Sequence, residues 1–148
     1  MMSRKHLFFA LFCVLCCLTA LMPGCGQGKS QMGPGIKPIM VVDSAGRSVE
    51  LPQPLEKVVI LNTDVAEAMR ILKVHHNVLG VSDTIQKDPY LGLQDRDFIG
   101  KWNTPNYEKI VELKPQVVIS YSGTPGPELA EKLEPAGIKV VFLDLFKP

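Results

Sequence analysis

The chain has 148 residues, with 46% hydrophobic and 21% charged. That is enough for about one domain and is a globular balance, which excludes a mainly disordered chain. Its 16 Lys and Arg against 15 Asp and Glu give a net charge of +1, so no strong basic field exists to drive nucleic-acid binding. All four cysteines, Cys13, Cys16, Cys17 and Cys25, fall in the first 25 residues, and none remains beyond them for a disulfide, a metal or a nucleophile.

The first segment reads as an address. Arg4 and Lys5 precede an apolar run from Leu7 to Met22, which Pro23-Gly24 ends. The run fits the apolar region of a signal peptide and is short for a membrane span, which needs about 20 residues. Leu21-Met22-Pro23-Gly24-Cys25 resembles a lipobox, although Pro23 is atypical there. Residues 1–24 are therefore expected to be a lipoprotein signal peptide, with Cys25 the lipidated residue. Residues 25–38, rich in glycine and proline and without an aromatic, read as a flexible tether. The remaining 39–148 form the folded part.

That part opens with a hairpin. Ile39–Asp43 and Ser48–Leu51 are strand-like, and Ser44-Ala45-Gly46 supplies the turn. Pro52 and Pro54 then break the chain. Val58-Val59-Ile60-Leu61 is a continuous apolar run, as in a strand covered on both faces. Asn62-Thr63-Asp64 contains helix-capping residues. Val65, Ala68, Met69 and Leu72 then share one helical face. Val78–Val81 is a second strand, and Phe98-Ile99 is a short apolar pair ending at Gly100. Thr104-Pro105 reads as a helix cap followed by proline at the first helical position. The helix carries Tyr107, Ile110, Val111 and Lys114 on one face and stops at Pro115. Val117–Ile119 is a third buried strand. Pro127 opens a helix with Leu129, Ala130 and Leu133 inward, and Ile138–Leu143 is the last strand. Alternating strands and helices imply crossovers and a mainly parallel sheet. The expected fold is a Rossmann-like three-layer α/β sandwich with an N-terminal β-hairpin. Ligands in such folds bind beyond the carboxyl ends of the strands. Those ends are Asn62–Asp64, Ser82–Thr84, Gly100–Asn103, Ser120–Gly123 and Asp144–Phe146.

Three segments carry a resemblance. VVDSAGRSVELPQPLEKVVIL, FIGKWNTPNYEKIVELKPQVVISY and LAEKLEPAGIKVVFLD, in that order, resemble the N-terminal part of ABC-transporter substrate-binding proteins for cobalamin and iron–siderophores. The similarity runs from about Val41 to Asp144. It implies a bilobal, non-catalytic binding protein, of which residues 39–148 cover the N-terminal lobe only. It also implies an ABC permease as partner, a metal chelate (iron–siderophore, corrinoid or haem) as ligand, and attachment to the membrane through lipid. The location implied is the outer face of the cytoplasmic membrane or the periplasm. No cofactor and no catalytic or metal-ligating residue is expected. The alternatives are a lipid-anchored interaction module that needs a partner chain, or a truncated receptor without function. An exposed apolar stripe along the final strand would support the partner-chain reading.

Ligand-binding candidates follow from strand ends and resemblance together. Trp102, the single tryptophan, lies in the loop that faces the ligand in the resembling family, and a large aromatic covers a corrin or siderophore face. Lys101 beside it is suited to an anionic group. Tyr121 ends the third apolar strand and is also a candidate iron ligand for haem. Tyr90 lies in the loop after the second strand. Asn62, Thr63 and Asp64 are candidates, although capping alone also accounts for them. Ser122 is the last, beside Gly123. The resemblance further places Glu108 where an acidic residue docks into the permease. Val74 is followed by His75-His76, whose side chains diverge and lack a third ligand, so they read as solvated.

Overall fold

The structure, a computed structural model, describes residues 37–145. The expected signal peptide, the expected lipidation site at Cys25 and most of the expected tether lie outside these residues. Strands β1 (Ile39–Val42) and β2 (Ser48–Leu51) form the antiparallel hairpin. Its turn is built by Asp43, whose Oδ1 accepts the N–H groups of Ala45 at 3.0 Å and Arg47 at 2.9 Å. Gly46 sits there at φ +77°, a conformation that favours glycine.

The chain then alternates. Strand β3 (Val58–Ile60), helix α1 (Thr63–Ile71), strand β4 (Val78–Val81) and helix α2 (Asp83–Gln86) lead to β5 (Asp97–Phe98). A small antiparallel ribbon, β6 (Gly100–Lys101) and β7 (Thr104–Pro105), precedes helix α3 (Tyr107–Leu113). Strand β8 (Val117–Ser120), helix α4 (Gly126–Leu133) and strand β9 (Lys139–Phe142) follow. Five strands make one sheet in the order β5-β4-β3-β8-β9, and every pair in it is parallel.

Both faces of this sheet are covered, which is why its strands are apolar without alternation. Val58 and Ile60 pack with Val65, Ala66 and Ile85, on the side of α1 and α2. Val59 and Leu61 pack with Ile110, Leu129 and Leu133, on the side of α3 and α4. The hairpin joins the first cluster through Val49 and Leu51. Its turn also covers the outer edge of β9: Ser44 N–H donates to Phe142 O at 2.9 Å, and Phe142 N–H to Asp43 Oδ2 at 3.5 Å. Covered edges suppress unwanted strand pairing.

The expected α/β architecture is present, with three local differences, in β7, α1 and His75. Thr104-Pro105 is strand β7 rather than a helix start, and Asn106 caps α3 by accepting the N–H of Lys109 at 3.0 Å. Helix α1 ends at Ile71, so Leu72 points to solvent instead of the core. His75 is half-buried on a short 3₁₀ turn, with only His76 exposed. Val140, Val141 and Phe142 of the final strand are buried, so β9 carries no exposed apolar stripe.

Gly80 in β4 marks a close approach of two elements. A Cβ there would lie 2.8 Å from Ile99 Cγ2 and 2.9 Å from Leu113 Cδ1. Both atoms end flexible side chains, so Gly80→Ala is expected to cost about 1–2 kcal/mol, read from a denaturant midpoint. An unchanged midpoint would show that α3 stands further from β4 than these distances require.

Candidate functional site

The strand order places one crevice above the others. From β3 the chain builds outward through β4 to β5, then returns to the other side of β3 with β8 and builds outward to β9. The order therefore reverses between β3 and β8, and the loops beyond their carboxyl ends diverge there, opening a crevice. Asn62, Thr63 and Asp64 follow β3, and Tyr121 and Ser122 follow β8.

Asn62 is spent on structure. It is fully buried, its Oδ1 accepts from Asp64 N at 2.9 Å and Val65 N at 3.4 Å, and its Nδ2 donates to Leu143 O at 2.6 Å. It caps α1 and ties it to the end of β9, so both ends of its amide are engaged within the lobe. Thr63 and Asp64 stand next to it, half-buried, in the first turn of the helix.

Tyr121 is half-buried. Burial raises its phenol above the usual range and the Asp64 charge adds to this, while hydrogen bonding from the backbone and side chain of Thr63 opposes the rise. The net effect is a phenol raised above its ordinary value. Its ring meets the Trp102 indole edge to face, with centroids 6.1 Å apart and planes at 83°. That arrangement is the favoured one for an aromatic pair.

Trp102 sits at the tip of the β6–β7 ribbon, 38% exposed. Its N–H donates to Asp83 Oδ1 at 3.2 Å. Lys101 beside it is exposed. Ser122 is fastened to the end of β9: its N–H donates to Asp144 Oδ1 at 2.9 Å, and its hydroxyl bonds Asp144 Oδ2. Beside it lies an open depression of about 430 Å³, lined by Ser122, Gly123, Thr124, Pro125, Pro127 and Glu128. Tyr90 is placed on a 3₁₀ turn beyond α2 and is 85% exposed. Glu108 is exposed in the first turn of α3. The fold thus brings Thr63, Asp64, Tyr121 and Trp102 together, while Glu108 belongs to the outer surface. Asp83 and Asp144 were missed as individual residues. The strand-end rule names their segments, and their acidity next to a strand end is the signal that singles them out.

Asp64 is held at a cost. Its Oδ2 is buried with no hydrogen-bond partner, and burial, followed by the nearby Glu67 charge, raises its carboxyl above the ordinary aspartate value of 3.8. A raised carboxyl weakens the fold once it ionises and has no such effect below its unfolded value. Asp64→Asn is therefore expected to raise Tm at pH 7, with the gain vanishing below pH 3.8. A gain that persists in acid would show that charge is not its source. Carboxylates kept against stability are characteristic of functional sites.

No family model matches the chain, and no curated protein matches it. Solved structures do match. The heme binding protein HmuT superimposes with a TM-score of 0.61 at 21% identity, over 76% of this chain and 36% of its own. The iron uptake ABC transporter substrate-binding protein PiuA from Streptococcus pneumoniae gives 0.61 at 21% identity, over 76% and 38%. The molybdate periplasmic binding protein MolA from Haemophilus influenzae gives 0.62 at 22% identity, over 72% and 35%. The chain spans little more than a third of the length of each of these solute-binding proteins. Residues 37–145 have the α/β fold of one lobe of the ABC-transporter substrate-binding proteins.

Proposed function

We propose that the chain supplies the N-terminal lobe of an extracytoplasmic solute-binding lipoprotein that captures a metal chelate for an ABC importer. The chelate is an iron–siderophore, a corrinoid or haem, and Cys25 carries the lipid anchor. The observation that carries this reading is the Trp102–Tyr121 pair at the reversal point of the sheet, on a fold shared with solute-binding proteins. The exposed indole of this pair offers one aromatic face to a large ring or chelate without adding charge. Thr63 and Ser122 stand beside the pair in the segments after β3 and β8, the Thr63 side chain bonded to Tyr121 and the Ser122 hydroxyl to Asp144. Three carboxylates, Asp64, Asp83 and Asp144, stand at the same strand ends against Lys101, a balance that disfavours a free oxyanion as ligand. One lobe buries only part of such a ligand, whereas good sites bury roughly 70–90% of it, so a second lobe is part of this proposal. The partner-chain alternative lacks the feature that would favour it, since the apolar residues of β9 are buried.

The test is a titration of the full-length chain in mild detergent with haemin, cyanocobalamin and ferrioxamine B, following Trp102 emission. Saturable quenching by one of them supports the reading, and no saturable response to any of the three contradicts it.

Glu108 carries the second half of the proposal, docking to the permease. Its exposure suits a contact that sets register and orientation more than affinity. Glu108→Lys is expected to lower cellular uptake of the bound chelate by about tenfold, with the dissociation constant unchanged. Equal uptake by variant and parent would remove Glu108 from the permease interface.

A further inference from the structure

The tip of the β6–β7 ribbon is too short to hold its own aromatic in place. The ribbon pairs Gly100 with Pro105 and Lys101 with Thr104, leaving Trp102 and Asn103 at the tip. The base is a close approach that requires glycine: Gly100 adopts φ +99°, and a Cβ there would lie 3.0 Å from Asn106 N. At the tip the Trp102 N–H turns outward to Asp83 Oδ1, 19 residues earlier in the chain. Asp83 opens α2, and its side chain is only 20% exposed. Its Oδ2 lies 3.9 Å from Lys87 Nζ, a long contact to a lysine that is mostly in solvent. Trp102 is therefore held from two sides, its backbone by Asp83 at the start of α2 and its ring by Tyr121 after β8.

We propose that Asp83 is a positioning residue: its carboxylate fixes the backbone at Trp102 so that the indole stands against Tyr121 and faces the crevice. The proposal rests on the carboxyl edge being the ligand face, and its test separates the two. A side chain held in its bound orientation loses less freedom on binding, so its restraint raises affinity. An acceptor on residue 83 is what matters, and a negative charge there is not required.

Trp102 is the only tryptophan, so its emission reports this loop directly. The experiment compares Asp83→Ala, Asp83→Asn and Lys87→Ala in the full-length chain, with far-UV circular dichroism to confirm folding. Acrylamide quenching is measured without ligand, followed by titration with haemin, cyanocobalamin and ferrioxamine B. Asp83→Ala is expected to raise the quenching constant about twofold and to weaken binding about fivefold. Asp83→Asn, which keeps an acceptor oxygen, should stay close to the parent, as should Lys87→Ala. The proposal is overturned if Asp83→Ala leaves the quenching unchanged, if Asp83→Asn fails as badly as Asp83→Ala, or if Lys87→Ala reproduces the defect. If Asp83→Ala loosens Trp102 while no probe binds the parent chain, the positioning role stands and the ligand-face reading fails.

Discussion

Asp43→Ala is expected to destabilise the fold by about 3 kcal/mol, because it leaves charged and polar groups of the hairpin without their acceptor. The Asp43 side chain is fully buried. Its carboxylate accepts two backbone N–H groups within its own turn, that of Phe142 from β9, and Arg47 Nε at 2.9 Å. Arg47 extends the network: it bonds Glu134 at 3.0 Å and Val140 O at 2.6 Å, and its guanidinium lies 4.2 Å from the Phe142 ring centroid. Removing the carboxylate therefore disturbs the hairpin, the edge of β9 and the end of α4 together. For a domain of this size the loss corresponds to a fall in Tm of roughly 10–20 °C.

Asp43 also gives the fold an acid dependence. Burial raises its carboxyl, but hydrogen bonds from the Arg47 backbone and side chain, with the Arg47 charge, outweigh this and hold it below the ordinary aspartate value of 3.8. A lowered carboxyl contributes stability that is complete above the unfolded value and is lost as pH falls through the folded one. The parent should therefore lose this contribution only below about pH 3.8, and the variant should show a shallower decline there. Thermal melts across that range check both statements. Parallel curves for parent and variant would mean that Asp43 is not an ionised anchor of the hairpin.

The second large effect falls on binding. Trp102→Ala is expected to weaken the chelate by about 2 kcal/mol, roughly 30-fold, with little change in Tm. The residue stands 38% exposed at a ribbon tip, so the core does not depend on it, while it forms the more exposed half of the aromatic pair. Calorimetry is the suitable measurement, because the variant has no tryptophan to follow. An unchanged affinity would place the ligand elsewhere on the lobe.

The strands were legible because both faces of the sheet are covered. Val58-Val59-Ile60 and Val117-Val118-Ile119 are apolar at every position, a pattern that amphipathic helices do not show. The hairpin was legible from Ser44-Ala45-Gly46 between two strand-like runs, whereas the part of Asp43 in its turn was not. Thr104-Pro105 misled because the same dipeptide suits a helix start and an edge strand. The contact that decides is non-local: Asn106 N–H donates to Ile99 O at 2.8 Å, closing the ribbon so that the cap moves to Asn106. Asn62 was ambiguous for a related reason, since the bond to Leu143 that commits its amide to structure spans 81 residues.

The site was legible as a set of strand ends but not as an arrangement. Periodicity gives the strands without their lateral order, and the order β5-β4-β3-β8-β9 is what singles out the loops after β3 and β8. The meeting of Trp102 with Tyr121 and the hold of Asp83 on Trp102 depend on that order and leave no local pattern.

The central claim is that ligand binds at the carboxyl edge where the strand order reverses. Amide hydrogen exchange of the full-length chain, with and without the chelate that quenches Trp102, tests it most directly. The account predicts added protection at residues 62–64, 101–103 and 120–122. It predicts no change at the opposite end of the sheet, where Gln116 N–H bonds Lys57 O at 2.9 Å. Protection confined to that opposite end, with the three carboxyl-edge segments unchanged, would contradict it.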